Sequence, residues 1–214
     1  MNESLKTKDF YGHDFVVSPD VLIPRPETEQ IIDEVLSLSG KPFLPGVKPT
    51  KRVLKEHPTV LDVGTGSGCI AITLSLLLND TTIIACDISK PALDIAKQNA
   101  KKLKAKVSFI ESDLLQNITI TPDLIVANLP YVDKDWPWID KEQLSKEPSV
   151  ALYAKDHGLA IIKKLILEAS ARKVKYLILE ADPCQHESIL NFAKENGFTL
   201  RKAIGFILSL FYSE

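Results

Sequence analysis

The sequence predicts an α/β protein with a doubly wound, mostly parallel sheet and helices on both faces. From Thr59 to the carboxyl end, short apolar runs of strand length alternate with longer runs of helical period. The first of those strands runs directly into a glycine-rich turn and then a helix, the kind of junction at which open α/β sheets receive ligands. The 214 residues can bury a substantial core without disulfide or metal staples. With 45% hydrophobic and 25% charged residues, the chain is neither disordered nor collagen-like. A net charge of −2 argues against nucleic-acid binding driven by bulk charge.

The elements follow in order. Residues 1–24 hold short apolar runs broken by Gly12, Pro19 and Pro24, which suits a hairpin or extended arm. Arg25-Pro26-Glu27-Thr28-Glu29 then opens a helix, with Ile31, Ile32, Val35 and Leu36 on its apolar face. Pro26 suits a first helical position, and Glu27 and Glu29 suit the positive helix end. Residues 39–59 carry four prolines and two glycines and read as a linker or exposed loop. Strands are expected at Val60–Val63, Thr82–Cys86, Val107–Ile110, Leu124–Ala127 and Tyr176–Leu179, with Phe198–Arg201 and Phe206–Phe211 last. Helices are expected at Gly68–Leu78, Lys90–Leu103, Gly158–Ser170 and Gln185–Asn196, the last closed by Gly197.

Cys69, Cys86 and Cys184 are scattered, without metal-ligand spacing, and suggest buried thiols in a reducing compartment. The polar start MNESLKTKDF has no signal-peptide stretch, and no apolar run approaches the roughly 18 residues of a membrane span. The expectation is a cytoplasmic protein with no metal site.

The strand Val60–Val63 leads into Gly64-Thr65-Gly66-Ser67-Gly68. Glycines let the backbone turn sharply and approach a ligand closely, with helix-terminal amides aimed at it. Asp87 closes the next strand, where a carboxylate can accept ribose hydroxyls. Any adenosine-containing ligand fits that pair, although the G-x-G-x-G spacing weighs against a dinucleotide. Asp62 and Asp113 lie on the same sheet edge. Asp113 could accept from an adenine amine or serve as a turn or cap residue.

Asn128-Leu129-Pro130-Tyr131 follows the strand Leu124–Ala127. The Asn128 side-chain carbonyl and the Leu129 backbone carbonyl are two acceptors, Pro130 stiffens the turn, and Tyr131 can lie against a planar group. Together they describe a clamp for a planar –NH2. Trp136 and Trp138 could form a lid beyond it or close over the core.

The resemblance carried by these residues is specific. Leu22-Ile23-Pro24-Arg25-Pro26-Glu27-Thr28-Glu29, Leu61–Gly68, Asn128–Tyr131, and Glu147-Pro148 with Ala151-Leu152 and Asp156-His157-Gly158-Leu159 resemble the HemK/PrmC release-factor glutamine methyltransferases. These are class I S-adenosylmethionine-dependent enzymes. The resemblance implies a Rossmann-like class I methyltransferase fold, a seven-stranded mostly parallel sheet with an antiparallel edge hairpin. It implies S-adenosylmethionine as donor and S-adenosylhomocysteine as product. Gly64, Thr65, Gly66, Ser67 and Gly68 would line the methionine part of the donor, and Asp62 would also bind the donor. Asp87 would hold the ribose, and Ile88, Asp113, Leu114 and Asn128 would also bind the donor. Asn128, Leu129, Pro130 and Tyr131 would form the catalytic clamp. Arg25, Pro26, Glu27 and Thr28, with Asn128 and Tyr131, would meet the substrate, the glutamine of the Gly-Gly-Gln loop of a peptide chain release factor.

The chain also departs from the family pattern. Residues 1–50, an arm, short helix and linker, stand where the family has a helical substrate-binding domain, and residues 51–214 would be the methyltransferase domain. Leu129 replaces the usual proline, and Ala203–Leu208 replaces a charged stretch. Asn-Leu-Pro-Tyr also resembles the motif of ribosomal-RNA adenine dimethyltransferases. Lys97, Lys101, Lys102, Lys104 and Lys106 could then bind phosphates, although such a helix end is usually a solvated face. A donor-binding relic or partner-dependent subunit is the non-catalytic alternative, and the retained Asn128 and Tyr131 speak against it.

Overall fold

The computed structural model describes residues 6–42, 46, 48–139, 142 and 147–213. Strands β3 (Thr59–Val63), β4 (Thr82–Asp87), β5 (Ser108–Glu111), β6 (Leu124–Ala127), β7 (Tyr176–Glu180), β8 (Phe198–Ile204) and β9 (Ile207–Tyr212) form one sheet. Its order is β5-β4-β3-β6-β7-β9-β8. The first five strands are parallel, and β9 returns antiparallel to β7 with β8 outside it. This is the expected seven-stranded class I methyltransferase sheet with its antiparallel edge hairpin. Several ends differ from expectation by a residue or two, and two matter below: β4 and β7 each continue into an acid, Asp87 and Glu180.

The strands are apolar on both faces because helices cover both. Val60, Leu124, Val126 and Ile178 point to one face, which is covered by α1 (Glu29–Leu38) and α2 (Cys69–Leu77). Leu61, Val63, Ile125, Ala127, Leu177 and Leu179 point to the other, against α4 (Ala160–Ala171) and α5 (His186–Glu195). Helix α3 (Lys90–Leu103) starts at Ser89, whose hydroxyl accepts from Ala92 N at 3.3 Å, and packs beside α2.

The amino-terminal arm is a hairpin, β1 (Lys6–Phe10) with β2 (His13–Val17), turned by Tyr11 and Gly12 at positive φ. Phe10 and Phe15 sit fully buried against α1 and the sheet core. Buried Asn99 on α3 ties this arm to the domain. Its Oδ1 accepts from Val16 N at 2.8 Å, and its Nδ2 donates to Val16 O and Ser67 O, each at 2.9 Å. Pro26–Thr28 is a tight 3-10 turn ahead of α1 rather than its first α turn.

The exposed Lys97, Lys101, Lys102, Lys104 and Lys106 lie on and after α3, and none lines the cavity described below. Cys69 and Cys86 are buried as expected, but Cys184 is exposed, since it lies in a 3-10 turn outside the sheet. Among the described residues no helix is long and apolar enough to cross a membrane.

Candidate active site

The chain leaves β3 toward β4 on one side of the sheet, while β6 lies against β3 on the other. Loops therefore part at the carboxyl ends of β3 and β6, leaving a crevice. A cavity of about 280 Å³ occupies it, lined by the glycine loop, the ends of β4 and β6, and the arm residues Asp20, Val21, Leu22, Pro24, Arg25 and Thr28.

The glycine loop is held from behind. Gly64 N and Thr65 N both donate to Cys86 O, at 2.9 and 3.0 Å. Asp62 is fully buried, and its Oδ2 accepts from the Thr65 hydroxyl at 2.6 Å and Ala71 N at 3.2 Å. Burial pushes the Asp62 carboxyl up to about 7, against the opposing pull of those two donors. Asp62 Oδ1 meets no hydrogen-bond partner among the described residues. Gly64 has φ +73°, and a Cβ there would lie 2.8 Å from Leu129 Cδ2. The loop after β3 and the turn after β6 are thus packed together.

At the end of β4, Asp87 accepts from Gly66 N at 2.9 Å through Oδ2 and from Ser89 N at 2.8 Å through Oδ1. Burial raises its pKa, partly offset by those backbone donors. Each oxygen still has lone-pair capacity facing the cavity that Asp87 lines. Ile88, 62% exposed, and buried Leu114 give that end apolar walls.

At the end of β6, Asn128 Nδ2 donates to the Thr28 hydroxyl oxygen at 3.0 Å. The turn behind it is locked by Gln185, whose Nε2 donates to Tyr131 O and His157 O, each at 2.8 Å. Buried Glu147 secures the arm above the cavity, pairing with the Arg25 guanidinium and accepting from Ile23 N at 3.0 Å.

A family model described as the methyltransferase small domain matches residues 49–138. The chain is 44% identical over 163 residues to a release factor glutamine methyltransferase of Koribacter versatilis, covering 74% of this chain and 53% of that protein. It is 35% identical over 200 residues to the release factor glutamine methyltransferase of Neisseria gonorrhoeae, covering 91% of this chain and 68% of that one. The chain belongs to the HemK/PrmC family.

Like the first of these, several of the curated relatives it matches are about twice as long as the matched span. The family's fold is shared more widely. A ribosomal protein L11 methylase structure from Lactobacillus delbrueckii subsp. bulgaricus superimposes with a TM-score of 0.61 at 22% identity, over 92% of this chain and 84% of that one.

Within this HemK/PrmC chain the expected site residues divide. Gly64, Thr65, Gly66, Ser67, Asp87, Ile88, Asp113, Leu114, Asn128, Leu129 and Pro130 all line the cavity, as do Arg25 and Thr28. Gly68, the cap residue ahead of α2, is off the lining although Ser67 and Cys69 on either side of it are on it. Asp62 is a correction: it braces the loop from the core instead of facing the cavity. Pro26 and Glu27 also lie off the lining, because the 3-10 turn brings Arg25 and Thr28 inward. Tyr131 is not positioned to lie on a ligand plane in the cavity. It is partly buried in the core, and its hydroxyl donates to Glu180 Oε1 at 3.2 Å. Asp113 Oδ2 is already shared by Lys164 Nζ at 2.6 Å and Gln116 Nε2 at 3.0 Å. Leu129 is buried against the glycine loop, so its side chain is part of the packing. Trp136 and Trp138 stack on each other at 5.3 Å, with Trp138 61% exposed, and neither lines the cavity.

Sequence reasoning missed Asn99, Lys164, Glu180 and Gln185. Glu180 could have been found, since it is an acid at the carboxyl end of a parallel strand like Asp87. Asn99 is a polar residue among the alanines of the buried face of α3.

The residues present fit S-adenosylmethionine. Asp87 offers acceptors for a diol, the glycine loop leaves open space at Gly66, where an added Cβ would meet nothing within 4 Å, and the flanking walls are apolar.

Proposed function

We propose that this chain binds S-adenosylmethionine and transfers its methyl group to the side-chain amide nitrogen of a glutamine, that of the Gly-Gly-Gln loop in peptide chain release factors. One observation carries the reading. Asn128 lines the same cavity as the glycine loop and Asp87, and its NH2 is already committed to Thr28, so its carbonyl oxygen is the end left for a ligand. A carbonyl at that place suits a substrate that brings N–H donors.

When bound, the donor supplies a methyl carbon attached to a cationic sulfur. Asp87 holds the ribose end through charge-assisted hydrogen bonds. Asn128 Oδ1 and the Leu129 carbonyl accept the two hydrogens of the planar substrate amide, raising electron density on a nitrogen whose lone pair is otherwise delocalised. Holding that nitrogen in line with the methyl supplies several kcal/mol of orientation. The apolar walls keep water away while charge is neutralised. No side chain needs to act as base, because the methylated nitrogen can lose its proton to water. Residues 1–50 would contribute part of the substrate grip and residues 51–214 the donor chemistry. A release-factor substrate would place the protein in the cytoplasm.

Incubation with labelled donor and a lysate lacking this methylation tests the proposal. Label on a release factor supports it. Label on ribosomal RNA would transfer the chain to the adenine-modifying class, and donor binding without any label would make it a relic or a partner-dependent subunit.

A further inference from the structure

Glu180 closes β7 and is 2% exposed, behind the acceptor turn and off the cavity lining. The Tyr131 hydroxyl donates to its Oε1 at 3.2 Å, while Oε2 meets no donor at hydrogen-bond geometry among the described residues. The Thr28 hydroxyl and the Asn128 amide also face this carboxylate. They favour its charged form, although burial is the larger effect and raises its pKa. Thr28 is itself 2% exposed and accepts from Asn128 Nδ2 at 3.0 Å.

The two ends of an asparagine amide are nearly equal in shape, so its hydrogen-bond partners decide which end faces a ligand. Thr28 has one hydroxyl hydrogen, which can go to Asn128 Oδ1 or to another acceptor. Glu180 in its ionised form is the stronger acceptor. With its hydrogen turned to Glu180, Thr28 can only accept from Asn128. Nδ2 is then taken, and Oδ1 faces the cavity. With the amide reversed, Asn128 would meet the substrate –NH2 with its own –NH2, donor against donor.

We propose that Glu180 is a positioning residue that, through Thr28 and through its own carboxylate beside the Asn128 amide, keeps the Asn128 carbonyl oxygen turned toward the cavity. The catalytic consequence rests on the amide-substrate reading above; the orientation itself does not. The full chain, labelled with 15N, gives a side-chain amide signal for Asn128, assigned by its loss in N128D and read without substrate. Glu180→Met removes the acceptor at similar volume, and Thr28→Val removes the hydroxyl. Both variants, checked for folding by their melting curves, are expected to move that signal toward the position of an exposed asparagine. Thr28→Ser restores it. In a methylation assay with a release factor, E180M lowers kcat about 100-fold, the scale of losing one oriented transition-state hydrogen bond. KM and donor Kd stay within about 3-fold, which a general structural defect would not produce. An unchanged Asn128 signal in folded E180M and T28V overturns the proposal. If the wild-type chain methylates no release factor, the amide-substrate reading fails, and the Asn128 signal still decides the role of Glu180.

Discussion

Gly158→Ala probes how the acceptor turn is held. Gly158 has φ +83°, and a Cβ there would lie 1.9 Å from Tyr131 O and 2.5 Å from Gln185 Nε2. Neither neighbour can yield cheaply. Tyr131 O is backbone of the Asn-Leu-Pro-Tyr turn, and Gln185 Nε2 is bonded to both Tyr131 O and His157 O at 2.8 Å. Left-handed strain for alanine costs about 1 kcal/mol. Parting the two segments breaks the Gln185 bonds and leaves partly buried carbonyls without donors, about 1–3 kcal/mol more. With overlap relieved by backbone movement, the sum is about 4 kcal/mol, a large share of a typical margin of about 5–15 kcal/mol. Gly66→Ala is the matched control, since its φ is +54° and its Cβ would meet nothing within 4 Å. It pays the strain alone. In urea unfolding, with a slope of about 2–3 kcal/mol per M, G158A should lower the midpoint by roughly 1–2 M and G66A by well under 1 M. Midpoints of the two variants that agree within experimental error would refute the idea that Gly158 is fixed by contact with the turn.

Three further outcomes are expected. Asp87→Ala should weaken S-adenosylmethionine binding by about 10- to 100-fold in calorimetry, because charged acceptors for the ribose are lost; an unchanged Kd would remove Asp87 from the donor site. Asn128→Ala should abolish single-turnover methyl transfer while donor affinity stays within about 3-fold, since the residue's acceptor serves the substrate; normal turnover would rule out the clamp. Burial raises the carboxyls of Asp62 and Glu180 to about 7 in the folded chain, so the folded state binds protons more tightly than the unfolded one. Their contribution is therefore greatest below pH 4 and falls as pH rises toward 7, by on the order of 3 kcal/mol each. Melting temperature should drop between pH 5 and 7.5, and less in Asp62→Asn; equal drops in the two proteins would contradict this.

Most of the sheet and the helices packed on its two faces, among the described residues, were legible in the sequence because periodicity reports burial. The strands Val60–Val63 and Leu124–Ala127 are apolar throughout, as two covered faces require. The cavity wall made by Gly64–Ser67 and Asp87 was legible for a similar reason, since those residues sit at strand ends fixed by the pattern. The acceptor side was only partly legible. Asn128 could be recognised, but its orientation depends on Thr28, 100 residues away in sequence, and on Glu180, 52 residues beyond it. Ending β7 at Leu179 left Glu180 out of consideration. Tyr131 was misjudged because an aromatic ring in a motif can face a ligand or the core, and here a buried carboxylate draws its hydroxyl inward. Asp62 was misjudged because its strand position alone does not tell which acid of the loop faces outward. Long-range hydrogen bonds of this kind leave no local signal.

The central claim is amide methylation directed by Asn128. Purified release factor should be incubated with S-adenosylmethionine and either the wild-type chain or N128A, and its Gly-Gly-Gln peptide sequenced by tandem mass spectrometry. The mass of one methyl group on the glutamine side chain with the wild type, and none with N128A, is the result expected here. An unmodified glutamine with the wild type, or equal modification by both proteins, would contradict it.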